Sequence, residues 1–184
     1  HRAMELLDFQ QLLGGQFAEL PAEYADYCRA LDWKRLAQDL QSFLEGEVLD
    51  MRLSQEYYDA LNRRKVVGFL KSELAWRMWA AQLRGELYRE QPFVLGIGAE
   101  RLSGEFPGEE TVLIQGIIDV FWVEDGEVVL LDYKTDVIDS MGELWNRYEV
   151  QLTYYREALE KLTGMQVKER GLYSFYLEEY GGKE

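Results

Sequence analysis

Apolar positions in the first half of the chain recur every three or four residues, the spacing of one face of an α-helix. From His1 to Leu13 the residues Met4, Leu7 and Leu12 mark such a face, and Gly14-Gly15 closes it. Ala22 to Leu31 follows Pro21, a residue suited to a first helical turn. Trp33 to Leu44 carries Leu36, Leu40 and Phe43 on one stripe before Gly46 interrupts the pattern. Ser54 predicts the N-cap of a short helix through Leu61. A longer helix is expected over Lys65 to Leu83, with Val66, Phe69, Leu70, Leu74 and Met78 facing inward.

The period shortens after Gly85. Leu87 to Glu90 and Phe93 to Leu95 read as strand, and the polar, Gly-bearing stretch 96–110 reads as a loop. Val112 to Val123 and Val128 to Lys134 are rich in β-branched and aromatic residues, and between them lies Asp125-Gly126, a pair that favours a tight hairpin turn. Met141 to Leu162 returns to helical spacing, with Leu144, Trp145, Tyr148, Leu152, Tyr155, Leu159 and Leu162 on one face and Gly164 as terminator. A last strand is expected near Gly171 to Leu177. Hairpin, helix and strand in this order predict a mixed sheet, because a helical crossover returns the chain to a parallel strand. The expected fold class is α/β, a mixed central sheet flanked by helices with a helical N-terminal half, in a single domain over residues 1–184.

Composition narrows the field. With 184 residues, 47% of them hydrophobic, the chain is sized for one packed core. No apolar run approaches the ~20 residues of a membrane span. The single cysteine, Cys28, excludes an internal disulfide, a four-cysteine zinc site and a cysteine-ligated iron–sulfur cluster, and suits a reducing cytoplasm. A formal charge of −14 argues against a broad basic surface for nucleic acid, although clustered carboxylates are also what divalent cations bind.

The hairpin holds the candidate chemistry. With Asp125 and Gly126 as the turn residues, Asp119 lies opposite Asp132, their Cβ atoms ~4.5–5.5 Å apart. Lys134 shares that face, two residues along the strand. Ile117, Phe121, Val123, Val128 and Leu130 are expected on the same face, and Ile118, Val120, Trp122, Val129 and Leu131 on the other, so both faces read as buried. Two carboxylates ~5 Å apart repel by roughly 3 kcal/mol at an effective dielectric of ~20. A shared proton, neutralisation by Lys134 or a divalent cation would each offset this. The cation accounts for the whole group best, since hard oxygen ligands suit Mg²⁺ or Mn²⁺ and a bound water becomes a nucleophile beside Lys134. A buried ion triad without metal is the bland alternative. A phosphohydrolase acting on another ester and a catalytically silent interaction module are the competing functions.

Gly116-Ile117-Ile118-Asp119, Leu130-Leu131-Asp132-Tyr133-Lys134-Thr135 and Gln151-Leu152-Thr153-Tyr154-Tyr155 resemble, in order, the motifs of the RecB-like nucleases of the PD-(D/E)XK superfamily. With Tyr88-Arg89-Glu90-Gln91-Pro92-Phe93 and Leu172-Tyr173-Ser174-Phe175, essentially the whole chain is similar to the C-terminal nuclease domains of AddA-type subunits of bacterial helicase–nucleases. The resemblance implies a restriction-endonuclease-like fold. It also implies Mg²⁺-dependent hydrolysis of DNA phosphodiesters, on single strands delivered by a helicase during double-strand break repair and recombination. Asp119, Asp132 and Lys134 would be catalytic. The metal would be held by Asp119, Asp132, the carbonyl of Tyr133 and a histidine on the first helix, here His1; the Gly-Thr that precedes this histidine in the family is missing.

Gln151 and Tyr155 would meet substrate, and Glu90 would support the metal or the lysine. Asp136 reads as a turn residue without a catalytic role. The implied partners are single-stranded DNA, the helicase portion of the same full-length chain and an AddB-type subunit, in the bacterial cytoplasm. The intact protein is expected to extend upstream. This chain lacks a Gly-x-x-x-x-Gly-Lys-Ser/Thr loop, so no ATP site is expected in it.

Overall fold

A computed structural model describes residues 1–101 and 110–183, so the middle of the stretch read as a loop, 102–109, lies outside the described residues. The chain divides into two compact units, His1–Leu87 and Tyr88–Glu184. Among the described residues no helix is long and apolar enough to cross a membrane.

The first unit is helical. Its elements are α1 (Arg2–Leu6), α2 (Phe9–Leu13), α3 (Tyr24–Ala30), α4 (Trp33–Leu49), α5 (Gln55–Ala60), α6 (Arg63–Leu70) and α7 (Glu73–Arg84). Two long helices expected from periodicity are in fact pairs. The first breaks at Leu7, where ψ is 123°, and Asp8 then caps α2 by accepting from Gln11 N. The second breaks at Lys71, and Ser72 caps α7 by accepting from Ala75 N. In both places a capping side chain satisfies the new helix start while the apolar spacing runs on unbroken. Ser54 caps α5 as expected, and Gly85 ends α7 in the left-handed conformation.

Gly46 does not interrupt α4, which runs on to Leu49. The next residue, Glu47, is buried and paired with Arg52 Nη2 at 2.6 Å, so the helix gains by continuing. A Cβ added at Gly46 would meet nothing within 4 Å. Gly46→Ala is therefore expected to stabilise the helical unit by about 0.5–1 kcal/mol, read as a raised thermal midpoint. A lowered midpoint would contradict the open space at this position.

The second unit is a five-stranded sheet in the order β1 (Leu87–Gly98), β2 (Thr111–Glu124), β3 (Glu127–Lys134), β4 (Val167–Ser174), β5 (Glu179–Lys183), with α8 (Met141–Thr163) between β3 and β4. The two strand pieces expected before residue 96 are one strand, which passes Glu90 at φ 51°. β2 and β3 are antiparallel, and their partners Val120↔Leu131 to Glu124↔Glu127 keep the register set by a two-residue turn. Both turn residues have positive φ, Asp125 at 55° and Gly126 at 81°, as the tight hairpin geometry demands. The α8 crossover brings β4 parallel to β3, pairing Asp132 with Leu172 and Lys134 with Ser174. β5, which the sequence pattern does not predict, is antiparallel to β4.

The helix α8 packs Leu144, Leu152, Tyr155 and Leu159 against Phe121, Val128, Leu130 and Leu172. This core also contains Ile118, which strict alternation from Phe121 would send to the other face. Ile117, expected beside Asp119 on a buried face, is half exposed. The alternation of β2 is thus broken between Ile118 and Phe121, around Asp119.

Candidate active site

Asp119 explains the break. Its Oδ2 accepts a hydrogen bond from the main-chain N–H of Tyr133 at 2.9 Å, a place that a backbone carbonyl of the neighbouring strand fills in a regular ladder. The described pairing of β2 with β3 ends one step earlier, at Val120 and Leu131. The carboxylate is turned toward the strand that carries Asp132.

Asp132 is 2% exposed, at the end of the central strand β3. Its Oδ2 lies 2.6 Å from Lys134 Nζ. The lysine also donates to Gln151 Oε1 at 3.1 Å, and Gln151 Nε2 donates to the Tyr155 hydroxyl at 2.9 Å. Gln151 and Tyr155 stand one helical turn apart on α8, so a single face of the helix reaches the lysine and the tyrosine together. Burial pushes the Tyr155 hydroxyl up to about 12, and the charges of Asp132 and Asp119 push the same way, against the hydrogen bond from Gln151. The Tyr155 hydroxyl therefore lies within the field of both carboxylates.

Gly116, three residues before Asp119, has a local reason. An added Cβ would come within 3.0 Å of Phe93 Cε1, and Phe93 stands edge-on to Tyr155 with ring centroids 5.3 Å apart. The glycine lets Phe93 cross β2 and buttress Tyr155. On the other side of β3 the Tyr133 ring is buried, which raises its hydroxyl pKa; Arg89 opposes the shift, while Asp119 and Glu90 add to it.

Two residues outside the expected set belong to this cluster. The Tyr148 ring centroid lies 3.8 Å from Lys134 Nζ. Its hydroxyl donates to Asp136 Oδ1 at 3.0 Å, and Arg147 Nη1 donates to the same oxygen at 2.8 Å. Partial burial works to raise the Asp136 carboxyl, but these hydrogen bonds outweigh it and hold the group below its usual range. By sequence alone Tyr148 reads as core and Asp136 as a turn. The signal that could have found Tyr148 is the stripe Tyr148, Gln151, Tyr155 on one helix face.

His1 lies in the first unit as the exposed N-cap residue of α1, where its main-chain oxygen accepts from Met4 N and Glu5 N. Among the described residues no group of three or more His, Cys, Asp and Glu side chains is gathered for a metal ion. The donors at the hairpin are nevertheless of one kind: two carboxylates opposed by one ammonium, with the Tyr133 carbonyl in the segment between Asp132 and Lys134. Such oxygen donors fit a hard divalent cation, which is commonly held by one or two carboxylates and completes its shell with water.

Residues 1–183 match the PD-(D/E)XK nuclease superfamily. The chain is also similar to proteins described as ATP-dependent helicase/nuclease subunits. That of Clostridium botulinum (strain Alaska E43 / Type E3) is 38% identical over 158 residues, 84% of this chain and 12% of its own length. That of Clostridium perfringens (strain SM101 / Type A) is 42% identical over 147 residues, 74% of this chain and 12% of its own length. A third, from Clostridium botulinum (strain Loch Maree / Type A3), is 33% identical over 170 residues, covering 90% of this chain and 13% of its own length. The chain thus spans only 12–13% of the length of these relatives.

Proposed function

The chain belongs to the PD-(D/E)XK nuclease superfamily, whose members generally use divalent metal ions, and on that premise we propose that it is a Mg²⁺-dependent DNA nuclease domain in which Mn²⁺ can take the place of Mg²⁺. The observation that carries the reading is the buried pair of Asp132 Oδ2 and Lys134 Nζ at 2.6 Å, set at a strand end where Asp119 also turns inward. A carboxylate and an ammonium are costly to bury, and these two stand at the positions that the sequence resemblance assigns to catalysis.

Asp119, Asp132 and the Tyr133 carbonyl would hold the metal, with His1 as a further ligand on the strength of the sequence resemblance. When bound, a divalent cation lowers the pKa of a coordinated water and offsets charge growing on the phosphoryl group. Lys134, held by Asp132 and Gln151, presents its ammonium to the attacking water or to the phosphoryl oxygens. The water oxygen forms the new bond to phosphorus as the water gives up a proton, the bond to the leaving sugar oxygen breaks, and that oxygen takes up a proton, so the protons balance. Gln151 fixes the lysine and Tyr155 fixes Gln151, and Glu90 would support the metal or the lysine on the strength of the sequence resemblance.

Single strands would reach this site from a helicase portion of the same full-length chain and its AddB-type partner, during break repair and recombination in the cytoplasm. The supporting facts are the helicase/nuclease description of the relatives and the small share of their length that this chain covers. A net charge of −14 is consistent with DNA capture by another part of the assembly.

Labelled single-stranded DNA incubated with the domain is expected to be cut with Mg²⁺ or Mn²⁺ and left intact with chelator. Cutting that survives chelation would remove the metal from the mechanism.

A further inference from the structure

Lys134 has a third partner besides Asp132 and Gln151, and it is not an acceptor of the usual kind. We propose that Tyr148 and Asp136 are positioning residues for Lys134: the Tyr148 ring, anchored through its hydroxyl by Asp136, holds the ammonium in its working place. The proposal rests on the nuclease reading of Lys134 given above.

The ring centroid is 3.8 Å from Nζ, well inside the ~6 Å within which a cation is drawn to an aromatic face. The lysine side chain is 11% exposed, so little water competes for it. An aromatic face attracts the ammonium without adding negative charge. A third carboxylate would bind the lysine more firmly, but it would also repel a phosphodiester and compete for the metal. The ring restrains a long, flexible stem and leaves the local charge unchanged.

The ring itself is restrained from behind. Its hydroxyl donates to Asp136 Oδ1 at 3.0 Å, and Arg147 Nη1 donates to the same atom at 2.8 Å. Arg147 Nη2 also donates to Glu143 Oε1 at 3.2 Å. Asp136 lies two residues beyond Lys134, where the chain leaves β3, while Arg147 and Tyr148 are on α8. The contacts form a closed circuit from the lysine to the helix and back to the chain just past the lysine. Ordinary core packing would explain a buried tyrosine, but not a ring centred on the Lys134 ammonium and a hydroxyl returned to the same strand end.

The test combines Tyr148→Leu, Tyr148→Phe and Asp136→Asn with the Lys134→Ala background, using labelled single-stranded DNA at saturating Mg²⁺. Tyr148→Leu is expected to lower kcat about thirtyfold with KM little changed, the loss fitting a cation–π contact at a desolvated site. Tyr148→Phe keeps the ring and loses only the tether, so a fall of about threefold is expected, matched by Asp136→Asn. In the Lys134→Ala background, Tyr148→Leu should cost nothing further, because its effect runs through the lysine.

A second readout does not depend on cutting. In spectra of lysine-labelled domain, the Lys134 Cε protons are expected to be displaced upfield by the ring, a displacement kept in Tyr148→Phe and lost in Tyr148→Leu. No displacement in the parent would overturn the proposal. So would a full kcat in Tyr148→Leu, or an undiminished loss in the Lys134→Ala background. A parent that shows the displacement but cuts no DNA speaks against the nuclease reading while supporting the placement of the lysine.

Discussion

Asp132→Asn is expected to lower single-strand cleavage about a thousandfold while the domain stays folded. The asparagine keeps the shape of the side chain and an oxygen for Lys134, but removes the charge that would hold a cation. The residue is almost wholly buried, so solvent cannot replace what is lost. Asp132→Ala is the cruder variant. It leaves the Lys134 ammonium without its 2.6 Å counter-ion, and stranding one partner of a buried pair costs about 3–5 kcal/mol. Both variants strand the ammonium, but the asparagine keeps an oxygen to accept from it, so the alanine variant should lose the more stability while both lose activity. Thermal midpoints and cleavage rates measured on both separate the two effects. Wild-type rates in Asp132→Asn would end the proposed role of this carboxylate.

Lys134→Ala is expected to lower cleavage about a hundredfold to a thousandfold, the range seen when one preorganised donor to a developing charge is removed. It has a second consequence. The lysine is also the counter-ion of Asp132, so without it the buried Asp132 carboxylate, on the strand toward which Asp119 turns, is left with less compensation. A divalent cation should then stabilise the variant more than the parent, since a ligand stabilises in proportion to how much better it binds the folded state. Melting curves with and without Mg²⁺ should show a larger upward shift in Lys134→Ala. An equal or smaller shift would mean that the lysine does not balance the charge of the site.

Much of this arrangement is legible without coordinates. Asp125-Gly126 between two β-rich runs sets the hairpin register correctly from Val120 to Glu124, and the order hairpin, helix, strand gives the parallel pairing of β3 with β4. Such features rest on local chemistry: a turn that needs two positive φ values, and a crossover that needs a helix. The misreadings have equally local causes. Periodicity cannot see a break that preserves its own phase, so Ser72 goes unnoticed among Phe69, Leu70, Leu74 and Met78. Gly46 is too weak a breaker here, because a penalty near 1 kcal/mol is small beside the burial of Leu40, Phe43, Leu44 and Glu47 on the same helix. β5 holds Tyr180-Gly181-Gly182 and owes its form to pairing with β4 rather than to its own residues.

At the site, spacing alone pairs Asp132 with Lys134 on the strand and Gln151 with Tyr155 on the helix, and the sequence resemblance brings the two pairs together. Tyr148 shares the helix face of Gln151 and Tyr155, but its contact with Lys134 and its tether to Asp136 are a meeting of two elements that no single periodicity describes. The bend at Asp119 is equally hidden. A side chain that takes over a backbone acceptor's place changes the alternation of its own strand, and only the fold reveals the exchange.

That exchange makes Asp119 part of the wiring of the main chain. The amide it engages belongs to the peptide group joining Asp132 to Tyr133, so the two aspartates share one rigid plane between them. A change in the charge on Asp119 will be felt as a change in the polarisation of that peptide, at the residue next to its partner. The Tyr133 amide proton is thereby a resident probe of the charge on Asp119, one that needs neither a substrate nor a mutation.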